Sequence, residues 1–396
     1  MKFSRRHLMQ TAGALPLAGA ASAAETTPDY LAELGVAPII NGAGVYTMMT
    51  ASLMRPECVR AIAAMSTKFV RLDELHDAVG KRIAKLLGAE AAMVPSGAAA
   101  ALTVGTAGVL TGTNADFIQR IPDLTGMKNE VIVQRSHRFP YDHMVRNCGV
   151  KLIEVETRAE LVKAIGPKTA MMLFLNKADH LGAVKMKEFV AIGKEYKVPT
   201  FNDAAADAPP VENLFTPIRL GFDLVCTSGG KGIRGPQSAG ILAGRADLIK
   251  AARMNTSPNS DTIGRCCKVN KEEMVGMMVA LESFLKEDHK ANWKQWEGRV
   301  ETMRRVVARM PGMKATPFVP PIANSVPHLR VQWDVKKVGL TELDLMRQLR
   351  GGTPSIELVP NDPKPGEGVE IASWMLQPGE AEVVAGRIEE IMGPKA

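Results

Sequence analysis

Short apolar runs recur through the middle of the chain, at 92–95, 131–133, 152–155, 171–175, 198–201, 224–227 and 239–243, each bounded by Gly, Pro or polar residues. Hydrophobicity that is continuous rather than alternating over so few positions is the pattern of strands buried on both faces. Between the runs lie amphipathic stretches at 72–87, 98–110, 141–148, 158–165 and 185–196, which read as helices. Strands alternating with helices predict an α/β fold with a mostly parallel, doubly wound sheet and helices on both faces. The alternation stops near Gly244, and a long helical stretch at about 271–310 follows, ended by Pro311-Gly312. Pro317, Pro320 and Pro321 then mark a turn. A smaller α/β unit fills the remainder, with strands at 326–333 and 368–373 and helices at 342–349 and 379–392. The predicted layout is an N-terminal segment (25–70), a large domain (71–265), a connecting helix (266–312) and a small C-terminal domain (313–396).

The first 24 residues have another character. Ser4-Arg5-Arg6-His7-Leu8-Met9 precedes an apolar run at 12–24 that has no polar face, and Ala21 and Ala23 supply an A-x-A-like cleavage site. This is the layout of a secretory signal with a twin-arginine region, so export to the periplasm is expected. A bilayer span takes about 20 apolar residues, so no stable membrane span is expected. With 396 residues, 46% of them hydrophobic, the chain can bury the cores of two domains. The formal net charge is +7, but Lys2, Arg5 and Arg6 supply three of those charges, leaving +4 for the remainder. So small an excess argues against a nucleic-acid partner, which needs a concentrated basic face. The five cysteines, Cys58, Cys148, Cys226, Cys266 and Cys267, are odd in number and form no C-x-x-C, which reads as free or buried thiols. His137 and His143 lack zinc-ligand spacing, and no metal site is expected.

Three motifs fall at the ends of predicted strands, the edge where sheets of this kind bind ligands. Pro95-Ser96-Gly97-Ala98 turns a strand into a helix. Its backbone N–H groups, helix dipole and hydroxyl suit a phosphate, although Ser96 serves equally as a plain helix cap. Asp203 in Phe201-Asn202-Asp203-Ala204 directly follows an apolar run. An acid there either pairs with a protonated pyridine nitrogen or caps the next segment. Lys231 lies in Ser228-Gly229-Gly230-Lys231-Gly232. Glycines let backbone crowd a ligand, and a lysine buried near another cation keeps the neutral amine that forms an imine. The alternative is a solvated surface turn. Phosphate turn, ring acid and imine-forming lysine in this order fit pyridoxal phosphate as the cofactor.

The chain resembles the fold-type-I superfamily of pyridoxal-phosphate enzymes, and within it the group of selenocysteine synthase and D-glucosaminate-6-phosphate ammonia-lyase. Carrying the resemblance are Ile40-Asn41-Gly42-Ala43-Gly44, Asp73-Glu74-Leu75, Leu87-Gly88-Ala89-Glu90-Ala91-Ala92 and Gly264-Arg265-Cys266-Cys267-Lys268-Val269. Pro122-Asp123-Leu124-Thr125-Gly126-Met127-Lys128-Asn129-Glu130 and His137-Arg138-Phe139-Pro140-Tyr141-Asp142-His143 lean toward the ammonia-lyase branch. The resemblance implies that Ser96, Gly97 and Ala98 hold the phosphate with Ser228, that Asp203 meets the ring nitrogen, and that Lys231 forms the imine. It also places His137 where family members stack a side chain on the ring, with a structural histidine as the alternative. Arg265 and Lys268 become candidates for anionic substrate groups, reaching toward a neighbouring subunit, and Arg350 for the substrate carboxylate unless it is a surface arginine. A homodimer or higher oligomer is implied.

The activity so implied is a lyase reaction on a 2-amino-3-hydroxy acid resembling D-glucosaminate. It would proceed by α-proton abstraction and β-elimination, with release of ammonia and a 2-oxo acid. An aminotransferase, racemase or aldolase shares the same cofactor chemistry, and an exported non-catalytic binding protein is the reading from another class. The Cys266-Cys267 pair interrupts the basic stretch, and an exported protein sits apart from the cytoplasmic substrates of the group.

Overall fold

The computed structural model describes residues 28–321, 323–360 and 363–393. The signal segment expected at 1–24 lies outside the described residues. The chain divides into two compact units, Met1–Pro38 and Ile39–Ala396. The described part of the first holds one short helix, Tyr30–Leu34, whose cap Asp29 accepts a hydrogen bond from the Ala32 N–H.

The strands of the second unit, in chain order, are β1 (Ile39–Gly42), β2 (Ala91–Met93), β3 (Glu130–Gln134), β4 (Lys151–Val155), β5 (Thr169–Leu175), β6 (Thr200–Asp203), β7 (Leu224–Ser228), β8 (Gly240–Gly244), β9 (Met313–Phe318), β10 (His328–Trp333), β11 (Ser355–Leu358) and β12 (Val369–Ala372). The main sheet has the order β2-β8-β7-β6-β5-β3-β4. Strands β3 to β7 pair in parallel, and β8 runs antiparallel between β2 and β7. Because β8 reverses direction on both sides, β2 points the same way as the parallel set. The ends of β2, β5, β6 and β7 therefore reach one edge, bringing Ser96, Leu175, Asp203 and Ser228 to the same side of the molecule.

Every residue of β5 is buried, and the strand shows why the apolar runs are continuous. Met171 and Leu173 belong to a core with Leu102, from the helix Gly97–Thr111. Met172 and Phe174 belong to another with Phe189, from the helix Met186–Tyr196. Alternate side chains serve opposite faces, so a strand covered by helices on both sides needs apolar residues at every position. At the C-terminal end β9, β10 and β12 form an antiparallel sheet in the order β12-β10-β9, and β1 pairs in parallel with β11. Their core gathers Met303, Leu345, Leu349 and Val384. Among the described residues no helix is long and apolar enough to cross a membrane.

Three elements differ from the sequence expectation. The stretch at 271–310 is two helices, Lys271–Leu285 and His289–Val307. Asp288 starts the second by accepting hydrogen bonds from the Lys290 and Ala291 N–H groups, a cap that interrupts the apolar periodicity from within. Pro317 lies inside β9 rather than in a turn, and β9 is an edge strand, where proline is tolerated. The expected helix at 141–148 is a 3-10 turn, Pro140–Asp142, followed by the short helix His143–Arg146.

The helix Gly97–Thr111 lies close against the helix Ala246–Met254. A Cβ on Gly108 would stand 2.6 Å from the Ala252 nitrogen. Helix propensity alone favours alanine over glycine by about 1 kcal/mol. Overlap with rigid backbone outweighs that gain, so Gly108→Ala is expected to lower stability by about 1–3 kcal/mol in urea unfolding. A stabilised variant would show that the two helices do not approach this closely.

Candidate active site

A cavity of about 230 Å³ opens at the shared strand edge. The turn after β2 contributes Ser96, Gly97 and Ala98, the end of β6 contributes Asp203, and β7 with its following loop contributes Ser228 and Lys231. Ser96 stands at the N-cap position of the helix Gly97–Thr111, yet its side chain makes no capping hydrogen bond. The hydroxyl is thus not engaged in holding its own helix. The lysine loop is fixed from several sides. Ser52 Oγ donates to the Gly230 carbonyl at 2.7 Å, the Gly235 N–H to the Gly229 carbonyl at 2.8 Å, and the Arg234 N–H to the Lys231 carbonyl at 3.0 Å. Gly232 is required by close approach, since a Cβ there would meet the Ala208 carbonyl oxygen at 2.2 Å.

Asp203 is 3% exposed, and its Oδ1 accepts the Ala205 N–H at 3.0 Å and the Cys226 thiol at 3.7 Å. Burial raises its carboxyl above the usual range, opposed by the Ala205 N–H and the charge of Lys231. Asp207 lines the same cavity, and burial together with the nearby charge of Asp203 pushes it up to about 7. For Lys231 burial acts in the other direction and lowers the ammonium below its ordinary value. Asp203 opposes that shift, and the neighbouring cation Lys177 adds to it. Cys226, fully enclosed beside Asp203, is pushed well above the thiol range by burial and is an inert packing residue.

A family model described as SelA, L-seryl-tRNA selenium transferase, matches residues 66–304. The chain belongs to the SelA family. It is 28% identical over 378 residues to D-glucosaminate-6-phosphate ammonia lyase from Salmonella typhimurium, covering 92% of this chain and 98% of the relative. It is 29% identical over 377 residues to a 5'-C-glycyluridine monooxygenase-decarboxylase from a Streptomyces species, covering 91% of each chain. A solved structure of D-glucosaminate-6-phosphate ammonia-lyase superposes with a TM-score of 0.79 at 27% identity, over 92% of this chain and 98% of that one. The fold is that of the fold-type-I pyridoxal-phosphate enzymes. This SelA-family enzyme has the groups such a cofactor needs. The turn hydroxyl of Ser96 is free of its helix, a carboxylate stands enclosed at the end of β6, and the amine of Lys231 is driven toward its neutral form. Pyridoxal phosphate fits them: Ser96 and Ser228 could hold its phosphate, Asp203 could face its ring nitrogen, and Lys231 could form the imine.

Four residues singled out in the sequence lie elsewhere. His137 is fully buried in the 3-10 turn Arg135–His137 and does not line the cavity. Its Nδ1 accepts the Leu175 N–H at 3.2 Å, and its ring packs edge-on against Phe174 with centroids 4.4 Å apart. Phe139, two residues later, lines the cavity in its place. Arg350 is held bidentately by Glu357, at 2.7 and 2.9 Å, so its guanidinium already has a carboxylate partner. Arg265 and Lys268 are exposed and outside the cavity of this chain. The sequence reading had not singled out Thr47, Tyr141, Lys177, Asp207 and Gln237, all of which line it. Asp207 carried a usable signal, an acid four residues after Asp203 in Asp203-Ala204-Ala205-Ala206-Asp207.

Burial lowers His137 to about 4, against the charge of Glu156 and a hydrogen bond with the Ala178 backbone. In the unfolded chain the imidazole takes up its proton near pH 6.5, so acid favours unfolding. The contribution is complete above about pH 6.5 and is lost as pH falls toward 4, amounting to about 3 kcal/mol at most. His137→Gln is therefore expected to flatten the loss of urea resistance between pH 7 and 4.5. An unchanged pH slope in this variant would rule the buried imidazole out as its source.

Proposed function

We propose that this SelA-family enzyme is a pyridoxal-phosphate-dependent lyase acting on a 2-amino-3-hydroxy acid of the D-glucosaminate kind. The convergence of Lys231, Asp203 and Asp207 on one cavity carries the reading. Bound pyridoxal phosphate supplies an electron sink for charge developing at the substrate α-carbon. Neutral Lys231 takes the α-proton, a task helped by the burial that lowers its pKa. Asp203 would face the ring nitrogen of the bound cofactor. Asp207, titrating near neutrality, can hold the proton that the departing β-hydroxyl requires. Loss of the hydroxyl as water and hydrolysis of the C–N bond yield ammonia and a 2-oxo acid. The likeness to an ammonia lyase over nearly the whole chain supports this branch of the chemistry.

Purified enzyme is expected to show a visible band at about 420 nm that disappears on borohydride treatment and is missing from Lys231→Ala. With D-glucosaminate or a related 2-amino-3-hydroxy acid it is expected to release ammonia and a 2-oxo acid in equal amounts. Carbon dioxide in place of ammonia would replace elimination with decarboxylation. A dependence on an added amino acceptor would replace it with transamination.

We also propose that the protein is exported by the twin-arginine route and assembles as a homodimer or larger oligomer. Arg5-Arg6 and the apolar run at 12–24 support the first. The second is supported by the exposed apolar side chains of Met48, Leu53, Phe69 and Val70, which a monomer would leave in water. Mass spectrometry of protein from a periplasmic extract is expected to show a chain lacking roughly the first 24 residues. A full-length chain confined to the cytoplasm would contradict export.

A further inference from the structure

A second cavity, of about 100 Å³, lies behind the loops that carry the site. Its wall includes Pro209, two residues past Asp207, and Gly232, next to Lys231. The cavity has room for several waters or a small polar group.

The lining is basic. Arg55, Arg234 and Arg299 reach it with one acid, Glu287. Arg55 is already ion-paired to Glu287. Arg234 and Arg299 form no ion pair among the described residues. Arg234 Nε donates to the Leu53 carbonyl at 2.9 Å, and Arg299 donates to the Ser373 carbonyl at 3.2 Å and to Gln295 Oε1 at 3.3 Å. Both guanidiniums are partly removed from water; Arg234 feels Arg55 as a like charge, opposed by Glu287 and Glu57, and Arg299 feels Arg234, opposed by Glu380 and Glu382. Cations brought together under partial desolvation are unfavourable unless an anion joins them.

Two further observations point to the same place. Arg234 holds φ at +59°, in the left-handed region that non-glycine residues rarely occupy and that tends to persist where function requires it. His289, also in the wall, has an Nε2 that is shielded from water and has no hydrogen-bond partner.

We propose that this cavity is a binding site for a phosphate group, held between the guanidiniums of Arg234 and Arg299 with His289 as a further donor. Two cations without a direct ion-pair contact suit a phosphate dianion, and planar guanidinium forks match its oxygen geometry. The group can arrive as inorganic phosphate or as the phosphate of a small ester. The site is separate from the Ser96 turn and backs directly onto the lysine loop.

The test is calorimetric titration of the holoenzyme, in which the cofactor's own phosphate would occupy the Ser96 turn. Inorganic phosphate and glycerol 3-phosphate serve as probes. Saturable binding of one equivalent per chain is expected, weakened about tenfold or more in Arg299→Gln. Arg234→Gly provides a second variant, since glycine accepts the left-handed backbone, and the same weakening is expected. An unchanged visible cofactor spectrum in both variants shows that they fold and leave the active site loaded. Tighter binding of inorganic phosphate assigns the free ion as ligand, and tighter binding of the ester assigns a phosphorylated small molecule. No saturable binding of either probe to the wild-type holoenzyme, or equal affinity in the wild type and both variants, would overturn the proposal.

Discussion

Asp203, Asp207 and Lys231 are taken out of water together at one edge of the sheet, and the chemistry available to the protein follows from that joint desolvation. Burial drives each group toward its neutral form, raising the carboxyls and lowering the ammonium. The attraction between Lys231 and the carboxylates opposes this, while the charge of Asp203 adds to it at Asp207. In all three groups burial is the larger influence, so the carboxyls stand above and the ammonium below their ordinary ranges. A neutral amine of this kind can accept a proton, and a carboxyl raised toward neutrality can give one. A lysine in water would stay charged and could not accept a proton.

That balance depends on scaffold elements that carry no charge. The strands delivering Ser96, Asp203 and Ser228 to one edge are anchored by side chains buried on both faces, so their ends have little freedom to shift. The helix behind the Ser96 turn lies close to its neighbour because Gly108 has no side chain. The lysine loop lies against the Ala208 backbone because Gly232 has none either. Several hydrogen bonds fix that loop from opposite directions, from Ser52 on one side and from its own glycine-rich turn on the other. A site whose function rests on partial desolvation needs this rigidity, since a small outward movement would readmit water and restore ordinary pKa values.

The sheet and its motifs were legible because burial on both faces leaves a signature at every strand position. Ser96, Asp203 and Lys231 stood out because each follows such a strand directly. Legibility failed where a side chain's destination depends on geometry beyond its own segment. His137 and Phe139 are two residues apart beyond the same strand, yet the imidazole turns into the core and the phenyl faces the cavity. Residue type alone would have assigned them the other way. Arg350 looked like a carboxylate reader until its neighbour in the fold, Glu357, proved to be the carboxylate it holds. The break at Asp288 and the strand through Pro317 were obscured by local rules, capping and edge position, that come into force only once tertiary neighbours are known. The pairing of β1 with β11 joins segments from opposite ends of the unit, which no local pattern announces.

The cluster at the sheet edge does not by itself choose which bond breaks. The chain matches an ammonia lyase and a monooxygenase-decarboxylase at nearly the same identity and coverage, so a scaffold of this kind is compatible with cleavage at different bonds of the α-carbon. Choice among those bonds is a matter of orientation, since the bond aligned with the electron sink is the one weakened. The residues able to set orientation are the ones that come from outside the strands: Thr47 and Gln237, joined through a hydrogen bond at 3.1 Å, and Phe139 and Tyr141 in the turn after β3. They stand on loops, where side chains can change without disturbing the sheet.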